Sequence, residues 1–512
     1  MNELREILDK ETFGQIFEYE EGVPVLKNYI NGKWEYSEGE TVEVYSPLED
    51  KLLACVQNST ESDAERAVNA AFENKGRDKG FRAWPGIERV EVFKRVAALL
   101  KEHKKALVKT LVLEAGKPYD NAEGEINAAI HRLNMALEEA RKIFGEYIPG
   151  DWSEDTTGKV SIVLREPVGV VLAISPFNYP VYTSIAKIVP ALLAGNTVVA
   201  KPPSTDPLAF LMAVRLFDEA GTPPGCLNVL TAHGKVMDYL TSHEHVDMIT
   251  FTGSTKVGQH IAKNAAMKRL HLELGGKGCA IVLEDADLNL AASKIISGTF
   301  KYSGQRCDSI SRILVVDRIA DVFLENFIAK FDKLKFGDVR EGNDLGPLIS
   351  EDAAARVARL VKDAVNKGAK MLRGTGTCHN CYFTPTVLDR VPLEADIAWE
   401  ETFGPVATII RVKDFNEAVE VANRSRYGLD SCIFTKDMYN GWSAAKLLET
   451  GEVTLNDAPA HGVGYFPFGG NKASGMGREG VGYSIDEMTR LKTVVFNLEP
   501  AGLGKTSKHY QM

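Results

Sequence analysis

The sequence predicts an α/β protein with two doubly wound parallel sheets and a small β element. Strand-sized apolar runs alternate with helix-sized runs from Val168 onward, and again from Cys279 to about residue 490. Such alternation places parallel strands between covering helices. The 512 residues, at roughly 150 per domain, suit about three parts. A terminal strand candidate, "LKTVVFNL" (491–498), and the segment 159–167 stand apart from the alternation and suit pairing with another subunit.

Taken in order, residues 1–25 read as a loosely attached leader. Its start, "MNELREILDKETF", is charged throughout and lacks the apolar core of a signal peptide. A helix is expected over 62–74, where Ser62 and Glu65 fit a capping box ahead of Ala67, Val68, Ala71 and Phe72. A second helical tract starts after "WPG" (84–86), breaks at "GKPYD" (116–120) and runs to about Gly145. "EYIPGDW" (146–152) reads as a turn-rich exit, and "KVSIVLREPVGVVLAI" (159–174) as two strands parted by "REP". Helices are then expected over 180–193, over 206–220, after "CLNVLTA" (226–232) and from Thr255. "CHNC" (378–381) is a lone CxxC. A structural zinc site needs four ligands, so this segment reads as a loop and no metal is expected.

The composition, 44 % hydrophobic and 25 % charged, is that of an ordinary globular chain. A net charge of −10 argues against a nucleic-acid partner. No apolar run approaches the roughly 20 residues that span a bilayer, so no membrane partner is expected. Seven cysteines, an odd number in a long chain, suit a reducing compartment, and a cytoplasmic location is expected.

Five segments could carry chemistry. "YSGQRCDSIS" (302–311) sets Cys307 beside Arg306: either an inert buried thiol, or a nucleophile whose thiolate the guanidinium favours. "HLELGGKG" (271–278) sets Glu273 in an apolar stretch, where burial would raise its pKa toward general-base range; otherwise it is an edge glutamate. "AISPFNYP" (173–180) places Asn178 in a loop after a strand, as an oxyanion donor or a turn cap. "FTGSTKVG" (251–258) and "AKPPS" (200–204) also close strands, where doubly wound sheets bind ligands. The first offers backbone N–H groups at a helix start and the second offers Lys201.

Together and in order, "PFNYP", "AKPPS", "FTGS", "LELGGKG", "SGQRC", "EETFGPV" (400–406) and "FPFGG" (466–470) resemble the aldehyde dehydrogenase superfamily over roughly residues 26–498. "YIPGDW", "SGQRCD", "YGLDS", "HGVGYFPFGG" and "KTVVFN" most resemble the archaeal branch of non-phosphorylating glyceraldehyde-3-phosphate dehydrogenases. The resemblance implies an aldehyde dehydrogenase-like fold. In it, 26–152 and 169–279 form the dinucleotide-binding domain and 280–490 the catalytic domain. Residues 153–168 and 491–512 supply the oligomerisation segments of a homotetramer built as a dimer of dimers.

It further implies that Cys307 attacks an aldehyde and that Asn178 and the Cys307 N–H hold the oxyanion. Glu273 then activates water on the thioester, with Lys187 and Glu479 helping to relay the proton. For the cofactor it implies Lys201 and Glu401 at the riboses, Gly253 and Ser254 at the pyrophosphate, and Phe403 near the nicotinamide. Ser175, Pro176, Phe177, Val257 and Leu274 complete that wall. Ser204 stands where NAD-selective members often carry glutamate, which implies NADP as the preferred cofactor with NAD also accepted. For a small phosphorylated aldehyde it implies contacts from Arg306, Tyr179, Asp308, His461 and Phe468. His461 stands where bacterial and plant members carry arginine; histidine is only half-charged near neutrality, leaving Arg306 as the phosphate cation. The implied reaction is oxidation of glyceraldehyde 3-phosphate to 3-phosphoglycerate. The alternatives are an unphosphorylated aldehyde (glyceraldehyde, lactaldehyde or a semialdehyde) and, against the presence of Cys307, Glu273 and Asn178, a catalytically silent binding protein.

Overall fold

The computed structural model describes residues 3–461 and 464–498. Five parallel strands form the heart of the first sheet, in the order Arg269–Glu273, Met248–Thr252, Val170–Ile174, Thr197–Lys201, Leu227–Val229. All five residues of Val170–Ile174 are buried, as expected of a strand covered on both faces. The chain runs outward from Val170–Ile174 to one side, then returns to its other side through Met248–Thr252. That reversal opens a crevice at the carboxyl ends of the strands, where such sheets bind ligands.

A second sheet holds Thr386–Asp389, Val406–Val412, Arg312–Val316, Cys279–Val282, Asp430–Phe434 and Glu452–Leu455 in parallel, with Lys370–Arg373 antiparallel at one edge. The two α/β units are linked by more than their connecting chain. Gly475–Met476, from far downstream, pairs antiparallel with Arg269–Glu273, setting Gly475 opposite Glu273. The third sheet joins Glu146–Pro149, Lys159–Pro167 and Thr489–Asn497 within one chain. Residues 499–512, the rest of the expected oligomerisation segment, lie outside the described residues.

Several local expectations are corrected. The first long helix is Glu61–Asn74, and its capping box is Thr60 with Asp63 rather than Ser62 with Glu65. Asp63 also accepts from Ser37, while Glu65 faces Tyr239 and His243 instead. The leader is packed, not loose: Leu4, Leu8, Phe13 and Ile16 lie in the same buried cluster as Leu107 and Leu111. The helical tract is three helices, Gly86–Glu102, Lys104–Ala115 and Tyr119–Glu139, and is over by Lys142. Glu146–Pro149, expected as a turn, is a strand because Lys159–Pro167 offers it a partner edge. "REP" continues that strand, and the break falls at Val168 and Gly169. The CxxC segment forms a small hairpin, Cys378–His379 with Tyr382–Phe383. Among the described residues no group of metal-ligating side chains is assembled, and no helix is long and apolar enough to cross a membrane.

Candidate active site

A cavity of about 810 Å³ opens at the carboxyl ends of the first sheet. Asn178, Glu273 and Cys307, scattered in sequence, all line it.

Cys307 follows a strained elbow. Tyr302 and Ser303 both have φ of 52°, a left-handed conformation costing an ordinary residue about 1–2 kcal/mol. Contacts from distant segments hold them there. The Tyr302 hydroxyl donates to the Ala115 carbonyl at 3.2 Å, and Ser303 Oγ donates to the Gly346 carbonyl at 2.8 Å. Gln305 Oε1 accepts the Ile349 N–H at 2.8 Å. The Cys307 carbonyl presses so close to Gly276 that a Cβ there would lie 2.6 Å from it. The Cys307 N–H has no hydrogen-bond partner among the described residues, which leaves it free to meet an oxyanion.

The thiol is not pre-ionised. Burial pushes the Cys307 thiol well above its usual range, and the neighbouring Glu273 carboxylate pushes it the same way. Arg306, expected to favour the thiolate, couples to it electrostatically but does not offset this. Its Nη2 donates to the Gly298 carbonyl at 2.8 Å and its Nη1 pairs with Asp308 at 3.5 Å. It is buried and does not line the cavity.

Glu273 ends the strand Arg269–Glu273 and is 2 % exposed. Burial first, and the charge of Glu479 second, push its carboxyl up to about 8. Its Oε1 has no hydrogen-bond partner. Glu479 is its opposite. Burial alone would raise it, but the Lys187 ammonium at 2.9 Å and the Arg132 guanidinium at 3.7 Å hold it well below the usual carboxylate range. Two buried carboxyls thus stand in opposite states, one able to take a proton near neutrality and one fixed as an anion.

On the far side of Glu479 lie His461 and Phe468, their rings 3.9 Å apart. Phe468 exchanges two backbone hydrogen bonds with Glu479, and His461 Nε2 is 3.5 Å from Glu479 Oε2. The His461 N–H donates to Asp308 at 3.2 Å. Burial drives the imidazole down to about 4, so it is neutral at physiological pH and not half-charged as expected. Residues 462 and 463, next to it, lie outside the described residues. Tyr179, half-buried, packs edge-on to Tyr302 with ring centroids 6.2 Å apart. Arg132 was missed by sequence reasoning, although a signal existed: Glu125, Ala129, Arg132 and Ala136 share one buried face of Tyr119–Glu139, and charge on such a stripe is rarely idle.

The residues expected to hold a dinucleotide line the same cavity. Ser175, Pro176 and Phe177 come from one loop, Lys201 and Ser204 from the next strand end. Gly253, Ser254, Val257 and Leu274 add the third, with Glu401 and Phe403 facing them. Ser254 caps the helix Thr255–Asn264, its Oγ accepting the Val257 N–H, which points that helix start at the cavity. Lys201 Nζ donates to Ser204 Oγ at 2.8 Å, and burial brings the lysine down to about 8. Glu401 is fixed by the Gly276 N–H at 3.0 Å. Phe403, at φ 46°, stands edge-on to Phe177 at 5.7 Å. A capped helix start for a pyrophosphate, and a lysine–serine pair for a phosphorylated ribose, fit NADP.

Comparison with known proteins bears on this site. Residues 34–494 match the model of the aldehyde dehydrogenase family. The NADP-dependent glyceraldehyde-3-phosphate dehydrogenase of Streptococcus equinus is 41 % identical, over 92 % of this chain and 98 % of its own. The structure of the NADP-dependent glyceraldehyde-3-phosphate dehydrogenase of Bacillus halodurans, complexed with NADP, superposes with a TM-score of 0.90 at 40 % identity, covering 92 % of this chain and 99 % of that one. The NADP complex of glyceraldehyde-3-phosphate dehydrogenase GapN from Methanocaldococcus jannaschii gives 0.85 at 38 % identity, covering 90 % and 100 %.

Proposed function

The chain belongs to the aldehyde dehydrogenase family, and on that premise we propose that it oxidises glyceraldehyde 3-phosphate to 3-phosphoglycerate with NADP, through a thioester on Cys307. The observation that carries the reading is the convergence of Cys307, Glu273 and Asn178 on one cavity with the Lys201–Ser204 pair.

In this mechanism Glu273, which lines the same cavity, takes the Cys307 proton, and the sulfur attacks the aldehyde carbon. The Asn178 amide and the Cys307 N–H receive the oxyanion. NADP, held by Lys201, Ser204 and the helix start at Ser254, would supply the hydride acceptor for this oxidation. Glu273, once unprotonated, draws a proton from water, whose oxygen attacks the thioester carbon. The acid leaves and the thiol is regenerated. Lys187 and Glu479 lie beside Glu273 to pass its proton onward.

A second reading, oxidation of an unphosphorylated aldehyde, is favoured by the substrate side. Arg306 is partly engaged by Gly298 and Asp308, with only its Nε unpartnered, and His461 is neutral, so the site holds less cation for a phosphate than the expectation gave it. Values of kcat/KM for glyceraldehyde 3-phosphate, glyceraldehyde and lactaldehyde with each cofactor decide between the two. A phosphate preference below about tenfold, less than one charge-assisted bond supplies, sinks the first reading.

The cofactor preference has its own test. Ser204→Glu sets a carboxylate against Lys201 and a 2′-phosphate, and like charges in contact cost several kcal/mol. The expected result is a fall of about a hundredfold or more in the NADP-to-NAD ratio of kcat/KM. An unchanged ratio would mean that position 204 does not face the ribose.

The third sheet supports self-association, as a dimer of dimers. Tyr147, Ile162, Leu164 and Phe496 stand exposed on one face of its three strands, and Leu491 and Val495 on the other, apolar surface that a single chain leaves uncovered. Sedimentation equilibrium reads the state directly; a monomer at micromolar concentration would exclude it.

A further inference from the structure

We propose that Lys117 is a positioning residue for the oxyanion donor. Lys117 lies between Gly116, which ends the helix Lys104–Ala115 at φ 59°, and Pro118, which starts Tyr119–Glu139. It reads locally as a helix break, yet its side chain is 0 % exposed.

Its ammonium has four partners. It pairs with the buried Glu125 carboxylate and donates to the Asn178 carbonyl at 2.7 Å. It also sits 4.3 Å over the Tyr179 ring and 4.6 Å over the Tyr302 ring. One cation therefore ties together the loop that carries Asn178, the aromatic ring beside it, and the elbow that leads into Cys307. Glu125 extends the tie. Its other oxygen accepts the N–H groups of Val181 and Tyr182 at 2.9 and 3.2 Å, fixing the first turn of Pro180–Leu193.

A purely architectural reading would stop at Glu125, since capping that helix needs a carboxylate or an amide and no ammonium. The second bond goes to Asn178 itself. Among the described residues no other hydrogen bond reaches Pro176, Phe177 or Asn178. Ring contacts from Phe403 and Tyr302 flank the loop, but among the described residues its one hydrogen bond, at the residue that must aim an amide at a developing oxyanion, comes from Lys117. Such donors act only when placed within about 0.5 Å, and a misplacement near 1 Å can cost a hundredfold. Burying an ammonium is expensive unless every proton is used, and here the ring faces take up what the two oxygens leave.

The inference rests on the reading of Asn178 as the oxyanion donor, so its test carries that residue as a control. Lys117→Met with Glu125→Gln removes both charges and keeps an acceptor for Val181 and Tyr182. Acylation is followed as the single-turnover burst of NADPH with glyceraldehyde 3-phosphate, and NADP affinity by fluorescence titration. The expected result is a burst rate lowered on the order of 10–100-fold, with the NADP dissociation constant within about twofold of wild type. In an Asn178→Ala background the same double change should cost less than about threefold, because the group it positions is gone. Equal losses in both backgrounds would overturn the proposal, as would an unchanged burst or a parallel loss of NADP affinity. An Asn178→Ala variant with a normal burst would instead overturn the oxyanion reading itself. Should the double variant not fold, Lys117→Met with Glu125 retained, which still removes the donor to Asn178, carries the same cycle.

Discussion

Cys307→Ala should reduce NADP-dependent aldehyde oxidation to less than about 10⁻⁴ of the wild-type rate while NADP binds as before. The thiol supplies the only covalent step, and its removal leaves the Lys201–Ser204 pair and the capped helix start intact. The wild-type thiol should also behave unlike a pre-formed thiolate. Burial and the Glu273 charge hold it well above the ordinary cysteine range, and Arg306 is committed to Gly298 and Asp308. Alkylation by iodoacetamide should therefore be slow at pH 7 and accelerate as pH rises. Rapid, pH-independent alkylation of the free enzyme would show that some other cation ionises Cys307. Oxidation surviving in the alanine variant would remove Cys307 from the mechanism altogether.

Glu273→Gln should have the next largest effect, and it should divide between the half-reactions. Loss of the base that activates water should lower deacylation by about 10²–10⁴-fold. The acyl adduct on Cys307 should then accumulate and be visible by mass spectrometry. Acylation should slow too, though by less, because Glu273, the carboxyl beside the thiol, also receives its proton. The pH dependence follows from the raised carboxyl. With Glu273 pushed up to about 8, a growing fraction is ionised as pH climbs from 6 to 9, so deacylation should rise through about pH 8 and then level. The glutamine variant, with nothing to titrate there, should lack that rise. A variant that keeps the rise would assign it to another group. A full burst with normal deacylation would remove Glu273 as the base.

The parallel architecture was legible because its signals are periodic and repeated. Each strand-sized run such as Val170–Ile174 is followed by a helix-sized one such as Pro180–Leu193, and no other fold class needs that order. Boundaries were less legible where two local solutions compete. Thr60 with Asp63 and Ser62 with Glu65 both satisfy the capping pattern, and what decides between them is Ser37, a residue 26 positions from Asp63. Glu146–Pro149 looked like a turn because all four residues are exposed, so no alternation marks it; its strand character comes from the partner edge. The chemistry-bearing residues of the cavity sit in short motifs at strand ends, where sequence and position coincide. The residues that hold them do not. Lys117 reaches Asn178 across 61 positions, and Arg132 reaches Glu479 only through the docking of two α/β units. The Arg306–Cys307 adjacency was only part of the account: Arg306 does feel the thiol's charge, but burial and the carboxylates around Cys307 outweigh it.

The short strand Gly475–Met476 has a consequence for how the chain can be divided. It covers the outer edge of Arg269–Glu273, and the bond from the Leu274 N–H to the Ser474 carbonyl extends the seal. Cutting the gene after residue 279, at what looks like a natural domain border, would strip that cover. The fragment would keep its five parallel strands but end on a bare row of N–H and C=O groups, with Leu272 and Glu273 beside them. Unprotected edges of that kind recruit strands from other molecules. The first α/β unit thus takes the cover of the Leu272–Glu273 edge from a downstream segment. Split-gene or domain-exchange versions of this enzyme will aggregate unless residues 474–476 travel with the N-terminal piece.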